Sequence, residues 1–376
     1  MHEDGWQFSK ILILFNVKPD GRRKCHMVLG GHMTEAGDTM THAATVQTAN
    51  VKLIIHLAVL NDTELVIGDI GTAYLNARTK EKIWIRAGPE FGPDMQGKIL
   101  ILEGALYGAK GSANAWFLEL SDYQREQKFS RSTMDMSIWY KHFPDQDQYN
   151  YFCHHVDDIL NSGPGVHEVI RNLKKRFILT GTDQVPDMYL GINLDILPDG
   201  SGWLLSSRDY INKILPMIED IIEKKLGKQS TPTIYEWHPE IDETPLLLPS
   251  EVKNYQKLLG VGIWLSITTR PDVTFSIGTL SRYTHIARQG HMKSLIQVFE
   301  YLHKHHSLGL KIDGSQPPWK PSKEQISNAQ KAVKDLKEYY PDAIMEWNKV
   351  WPVPKGKAVQ ITIFVDADHA SNTADR

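Results

Sequence analysis

The sequence predicts an α+β fold organised around an antiparallel sheet. Two observations carry that expectation. Runs rich in β-formers alternate with turn clusters at 11–29 and at 137–160, as antiparallel hairpins require. Helical runs stand between and after them, at 47–60, 112–123, 166–176, 209–225, 255–268 and around 295–302.

At 376 residues with 41% apolar content, the chain is long enough for two or three domains with a real core. The formal net charge is only −3, so no global basic field announces a nucleic-acid partner. Such a partner would be held by local patches. Residues 171–176 (Arg-Asn-Leu-Lys-Lys-Arg) form one, although the same run also reads as a solvated helix face. Cys25 and Cys153 belong to no Cys-x-x-Cys pair. That argues against zinc knuckles and a disulfide framework, and for reduced, buried thiols in an intracellular protein. Met-His-Glu-Asp-Gly-Trp at the start is not a signal peptide, and no apolar run reaches membrane-spanning length. A cytoplasmic protein with no membrane partner is expected.

In chain order, a hairpin spans 11–29 with Pro19-Asp20-Gly21 as its turn. Arg22, Arg23 and Lys24 sit near its tip, where they either grip phosphates or are simply solvated. A nearly all-apolar run at 47–60 predicts a buried helix capped by Asn50 and ended by Asn61-Asp62. The apolar stretch 65–68 is a core strand that leads into Asp69, and Ile83 and Ile85 mark another strand. Gly108 and Gly111 open a helix carrying Trp116, Phe117 and Leu120. These glycines suit either close backbone approach to a ligand or a plain helix entry. Strands at 137–143 and 149–155, around Pro144-Asp145-Gln146-Asp147, deliver Asp157 and Asp158 at a hairpin tip. Residues 188–194 read as one strand, and 203–205 continue the sheet. Proline-rich 228–249 is a linker, and a second connector fills 313–359. The cluster His303-Lys304-His305-His306 has no acid or cysteine spaced to help it bind metal, so a solvated helix end is expected. A last strand, 359–365, leads into Asp366.

The acids point to chemistry. If the strands bearing Asp69 and Asp157-Asp158 are neighbours, three carboxylates converge. That arrangement can hold two magnesium ions about 4 Å apart, with substrate phosphates completing the shells. Adjacent strand residues point opposite ways, so Asp157 is expected as the main ligand, with Asp158 contributing through the turn. Tyr74 would then lie near the sugar of an incoming nucleotide. The plain alternative is a core aromatic.

Five blocks in order give these residues a family. Asp69-Ile70-Gly71-Thr72-Ala73-Tyr74-Leu75-Asn76 resembles Asp-Val-Lys-Thr-Ala-Phe-Leu-Asn, and Leu106-Tyr107-Gly108-Ala109-Lys110-Gly111-Ser112 with Trp116 resembles Leu-Tyr-Gly-Leu-Lys-Gln-Ser…Ala-Trp. His155-Val156-Asp157-Asp158-Ile159-Leu160 resembles Tyr-Val-Asp-Asp-Ile-Leu, and Tyr189-Leu190-Gly191-Ile192 resembles Phe-Leu-Gly-Ile. Tyr255…Leu258-Leu259-Gly260 with Thr269-Arg270-Pro271-Asp272 resembles Tyr-Arg-x-Leu-Val-Gly…Thr-Arg-Pro-Asp. Together they resemble the reverse transcriptase region of copia-type retrotransposon polyproteins, across about residues 10–310.

The resemblance implies a right-hand polymerase of fingers, palm and thumb, with an antiparallel palm sheet carrying the acids. Fingers and palm would occupy 1–210, thumb or connection helices 211–312, a linker 313–360, and a truncated start of a ribonuclease H-like domain 361–376. Asp69, Asp157 and Asp158 would be catalytic and hold two Mg2+ ions, with Mn2+ as a substitute. Ile70, Tyr74, Gly108 and Lys24 would contact the nucleotide, and Tyr74 would act as its sugar gate. His155, Leu190 and Gly191 would contact primer and template. The implied partners are an RNA or DNA template-primer and deoxynucleoside triphosphates, in the cytoplasm or within virus-like particles. Asp366 would be the first ribonuclease H acid, without the rest of that site.

The chain departs from the family pattern in places. The usual fingers strand, Lys-Ala-Arg-Leu-Val-Ala-Arg-Gly, is here Lys24-Cys25-His26-Met27-Val28-Leu29-Gly30-Gly31. His26 and Gly30 thus replace two arginines expected to face the triphosphate. Gly111 replaces Gln, and His155 an aromatic. The expected function is therefore RNA-directed DNA polymerase. A catalytically silent remnant that at most binds nucleic acid is the alternative. An unrelated acidic metal-site phosphohydrolase would leave the five ordered blocks unexplained.

Overall fold

The computed structural model describes residues 5–17, 21, 23–36, 39–234 and 236–315, with isolated positions between 323 and 357. It is a mixed α+β structure with several antiparallel sheets. The expected strand at 359–365, Asp366 and most of the 313–360 connector lie outside the described residues.

The chain opens with β1 (Gln7–Ser9), β2 (Ile11–Val17) and β3 (Arg23–Leu29). β2 and β3 pair antiparallel from Ile11↔Leu29 to Val17↔Arg23, the hairpin expected there. Arg22 and the Lys24 side chain lie outside the described residues, so the phosphate-gripping reading of the tip does too. Cys25 is exposed, contrary to the expectation of buried thiols, whereas Cys153 is buried.

α1 (Thr48–Asn61) starts before Asn50, which is therefore not its cap. Asn50 sits in the first turn and donates to Asp135 Oδ2 at 2.8 Å, and the Gln47 N–H donates to the same oxygen at 3.1 Å. A distant carboxylate thus does what a capping side chain would do for the orphan donors. α1 buries one side only, through Val51, Ile54, Ile55 and Ala58. Leu53 is 53% exposed, so the expected all-round burial does not hold. Asp62, in the left-handed region, closes the helix.

Next come β4 (Leu65–Ile70), β5 (Ile83–Arg86), β6 (Ile99–Ile101) and α2 (Ser112–Glu126). They are followed by β7 (Ser130–Arg131), β8 (Ile138–Phe143), β9 (Gln148–His155), β10 (Asp158–Ser162), α3 (Val166–Lys174) and β11 (Leu179–Thr180). A small sheet runs β1-β5-β6, and the central six-stranded sheet runs β11-β4-β10-β9-β8-β7. The period-2 alternation of its strands gives the central sheet two apolar faces. Phe152, Ile159 and Trp139 join Trp116, Leu120 and Leu173 in the core with α2 and α3. Their neighbours Cys153 and Leu160 pack instead with Ile54 and Ile55 of α1. The basic run at 171–176 is partly committed within the chain: Arg176 pairs with Glu119 and Glu126, and Lys174 with Asp183.

β12 (Met188–Tyr189), β13 (Ile192–Ile196), β14 (Gly202–Ser206) and β15 (Gly309–Asp313) form a separate four-stranded sheet. The single strand expected over 188–194 is in fact a tight hairpin. Leu190 and Gly191 both have positive φ, +49° and +76°, as a type I′ turn requires. The unbroken apolar run hid this turn. Between β14 and β15 lie four helices: α4 (Arg208–Ile222), α5 (Pro249–Thr268), α6 (Thr274–Ser281) and α7 (Gln289–Lys304). They share a core that includes Ile211, Leu258, Leu265, Leu295 and Phe299. α5 begins six residues before the expected 255, with Pro249 at its first position and Glu251 accepting the Leu248 N–H at 2.7 Å. Arg270 is buried, donates Nη2 to Asp272 at 2.7 Å, and donates Nη1 to the His305 carbonyl at 2.9 Å. His303 Nδ1 lies 3.1 Å from the Gly227 carbonyl oxygen, and His306 Nδ1 lies 3.2 Å from that of His303. The histidine cluster thus holds a helix end in place.

Candidate active site

β4 and β10 are neighbours, and their register sets Asp158 directly opposite Asp69. β11 adds Thr180 on the other side of Asp69, with its hydroxyl 3.4 Å from Asp69 Oδ1. Directly opposed residues project to the same face of a sheet. Asp69 and Asp158 are therefore in phase with each other, at the end of the sheet where β9 turns into β10.

That turn consists of Val156 and Asp157, and Val156 has φ +60°. A β-branched residue in the left-handed region needs outside support. Three bonds supply it. Trp116 Nε1 donates to the Val156 carbonyl at 2.7 Å, the Ile70 N–H to the Asp157 carbonyl at 2.8 Å, and the Tyr189 hydroxyl to the Asp158 carbonyl at 3.4 Å. Three successive carbonyls of the acidic turn are thus held from α2, β4 and β12.

The acids feel one another. Burial, with the Asp157 and Asp69 charges beside it, pushes the Asp158 carboxyl up to about 6. Burial and then Asp157 also raise the Tyr74 phenol, and the same causes raise Tyr107. Tyr74 therefore stands within the field of Asp157. It sits on the 3-10 turn Ala73–Asn76, whose Asn76 amide reaches back to the Gly71, Thr72 and Ala73 carbonyls at 3.1–3.3 Å. Its ring lies 4.5 Å from that of Tyr107, which meets His26 of β3 edge-on at 5.6 Å. A row of aromatic side chains runs from the N-terminal hairpin to the acids.

Gly108 joins the same two regions through its backbone. The Leu29 N–H donates to the Tyr107 carbonyl at 2.6 Å. Gly108 has φ +92°, and a Cβ there would fall 2.1 Å from the Leu29 carbonyl oxygen. The close approach is made to Leu29 of the same chain and not to a ligand, so it is neither of the two readings left open for this glycine.

The remaining expected site residues fall around this centre. His155 is the register partner of Asp158 across the turn. Lys24 pairs with Asn16 in the β2–β3 hairpin through its backbone. Gly191 packs toward Trp264 of α5, so its turn meets the helical unit, while Tyr189 before it reaches the acids. Tyr107, Asn76, Thr180 and Tyr189 were not singled out from sequence. Tyr107, Asn76 and Tyr189 lie inside the matched blocks. Thr180 and Tyr189 act through long-range pairing that local patterning does not carry.

Three hard carboxylate donors within mutual Coulomb reach suit a divalent cation such as magnesium. Among the described residues no group of three His, Cys, Asp or Glu side chains forms a ready metal cage. The three acids have the donor chemistry such an ion takes, but the structure does not gather them into a three-ligand site.

Comparison with known proteins gives the chain a family. Residues 6–233 match the family model described as reverse transcriptase (RNA-dependent DNA polymerase). The chain belongs to the reverse transcriptase family. It is similar to the retrovirus-related Pol polyprotein from transposon RE1 of Arabidopsis thaliana, at 26% identity over 79% of this chain and 20% of the relative. It is also similar to the Pol polyprotein from transposon TNT 1-94 of Nicotiana tabacum, at 23% identity over 81% of this chain and 24% of the relative. A putative transposon Ty5-1 protein of Saccharomyces cerevisiae is 28% identical over 66% of this chain and 79% of its own length. The chain spans about a fifth to a quarter of the first two polyproteins. Both the family and these relatives place it as a copia-type reverse transcriptase region. No helix among the described residues is long and apolar enough to cross a membrane.

Proposed function

We propose that this reverse transcriptase region is an RNA-directed DNA polymerase, with Asp69, Asp157 and Asp158 as its catalytic acids. The observation that carries the reading is the register pairing of Asp69 with Asp158 beside a turn that presents Asp157. In this reading the six-stranded sheet with α2 and α3 is the palm, the N-terminal hairpin belongs to the fingers, and α4–α7 form the thumb. Asp69 and Asp157, with Asp158 beside them, would hold two divalent ions. Those ions supply Lewis-acid activation of the primer 3′-hydroxyl and charge neutralisation on the triphosphate. The chain's own part is positional. Trp116, Ile70 and Tyr189 fix the acidic turn, and the Tyr74 ring would exclude a ribose 2′-hydroxyl. Template-primer and deoxynucleoside triphosphates are the substrates, and template binding is shape-based and salt-dependent.

The test is primer extension on a polyadenylate template with oligothymidine, beside an Asp157→Asn control. Magnesium-dependent extension that disappears in the control is expected. No extension from folded protein at saturating nucleotide would overturn the reading.

One observation favours a silent remnant of the same fold. Where the family places two arginines, His26 is turned against Tyr107, and Gly30 has no side chain to offer. Charge-assisted phosphate contacts contribute about 1.5–3 kcal/mol each. A Cβ at Gly30 would meet nothing closer than 3.4 Å, and its φ of −73° suits any residue. The double variant His26→Arg, Gly30→Arg is therefore expected to fold and to lower the nucleotide KM at least roughly tenfold. Under the remnant reading, extension would appear only in that variant.

A further inference from the structure

The central sheet has a surface that the polymerase reading does not use. On the side of β8 and β9 facing away from α2, the rings of Tyr140, Tyr149 and Tyr151 and the α1 side chains Leu53 and Leu57 line an apolar groove. Tyr140 and Tyr149 meet edge to face at 5.7 Å, and Tyr149 and Tyr151 lie 6.3 Å apart. Asp147 lies in the turn between the two strands, with its carboxylate exposed. The exposed flank of α1, unexpected from its sequence, forms the opposite wall.

The chain's own Pro352, Val353 and Lys355 lie against this groove. The Tyr149 hydroxyl donates to the Val353 carbonyl at 3.0 Å. Lys355 Nζ lies 2.7 Å from Asp147 Oδ1. The Lys357 N–H donates to Asn61 Oδ1, at the end of α1, at 3.2 Å. Gly356 has φ +82°, and a Cβ there would fall 2.4 Å from the same Asn61 oxygen. These contacts use one chemistry throughout. A tyrosine hydroxyl takes a backbone carbonyl and an acid takes the following lysine, while a proline-containing stretch lies beside the aromatic rings. A proline-containing segment has little backbone freedom to lose on docking, so a few contacts suffice to hold it.

We infer that the segment bearing Pro352, Val353, Lys355 and Lys357 is a docking strap, and that the tyrosine groove with Asp147 is its receptor on the same chain. The strap fastens the chain beyond the helical unit to the back of the sheet whose opposite end carries Asp69 and Asp158. The strap fixes where residue 357 sits relative to the acids. The groove belongs to the back of the sheet and contains no acid of the candidate active site, so the inference stands whether or not the chain extends primers.

Trypsin reads this directly on the full chain, because Lys355 and Lys357 are both cleavage points. A docked strap is cut only from its released state, so the rate follows the open fraction. Asp147→Asn and Tyr149→Phe, each removing one contact, are expected to speed cleavage after Lys355 and Lys357 by roughly five- to tenfold. Gly356→Ala alters the strap and leaves the groove intact, because its Cβ would fall 2.4 Å from Asn61 Oδ1, and it should do the same with an unchanged thermal midpoint for the rest of the chain. Equal rates in wild type and all three variants would overturn the inference. So would protection that fades on dilution alongside a dimer-to-monomer transition, since the strap would then be exchanged between two copies.

Discussion

Asp158 stands directly opposite Asp69 across β10 and β4, two like charges on adjacent inner strands of the central sheet. Directly opposed like charges destabilise a sheet by a few tenths to about 1 kcal/mol. Asp69→Asn removes one charge and keeps an oxygen to accept from Thr180. Stability and activity should then move in opposite directions. In metal-free buffer the variant should be more stable by roughly 0.5–1 kcal/mol, read as a higher urea midpoint. Primer extension should fall at least about a hundredfold. A variant that is both less stable and equally active would contradict a functional origin for the pairing.

Gly108 is a backbone requirement of the fold. Its φ is +92°, and a methyl group added there would collide with the Leu29 carbonyl oxygen, 2.1 Å from where the Cβ would stand. Gly108→Ala should cost roughly 2 kcal/mol or more, measured by urea denaturation. Gly31, whose Cβ would fall 2.0 Å from the Gly108 carbonyl oxygen, lies on the other side of the same contact. Gly31→Ala should therefore cost a similar amount, and the double variant less than the sum, because both relieve one approach.

The features legible in sequence are those written in local pattern. An apolar strand at 65–68 and an aromatic, β-favouring one at 149–155, each followed by acids, are legible locally; that β4 and β10 are neighbours, the condition for the acids to meet, comes from the structure. The features missed are those set by distant partners. Asp135 caps α1 from 85 residues away, a bond no helix-start signal can reveal. Tyr189-Leu190-Gly191-Ile192 looks like strand because its turn is built from an apolar leucine held at positive φ. β15 joins β14 across the whole helical unit, so nothing near residue 309 announces it. The groove for the strap arises because α1 is apolar on a flank that the core does not cover.

His154 is buried in β9 against Phe117, three residues before Asp157. Burial pushes its imidazole down to about 4, although Asp135 nearby favours the charged form and His155 opposes it. An unfolded histidine titrates near 6.5. Between these values the unfolded chain binds a proton that the folded chain refuses, so stability falls as pH drops. The loss begins below about pH 6.5, is complete near pH 4, and is at most on the order of 3 kcal/mol. His154→Leu should flatten this acid limb. Urea midpoints at pH 7.5 and pH 5 measure it: the wild type should lose more on acidification than the variant. Equal losses would show that His154 is solvated in the folded protein.

Trp116 is expected to be a positioning residue for the acids. Its indole N–H reaches the Val156 carbonyl at 2.7 Å, and Val156 holds the strained conformation on which Asp157 depends. The ring itself is core, packed against Phe177 at 5.4 Å. Trp116→Phe keeps most of that packing and deletes the hydrogen bond, at a cost of about 1–2 kcal/mol. A displacement of Asp157 by a fraction of an ångström should lower kcat for nucleotide addition by ten- to a hundredfold. The nucleotide KM should stay within about twofold, because the deleted hydrogen bond goes to the Val156 carbonyl and not to Tyr74 or Tyr107. Trp116→Leu should reduce stability further without lowering kcat in proportion. If instead kcat in the two variants tracked stability alone, Trp116 would be a core residue and nothing more.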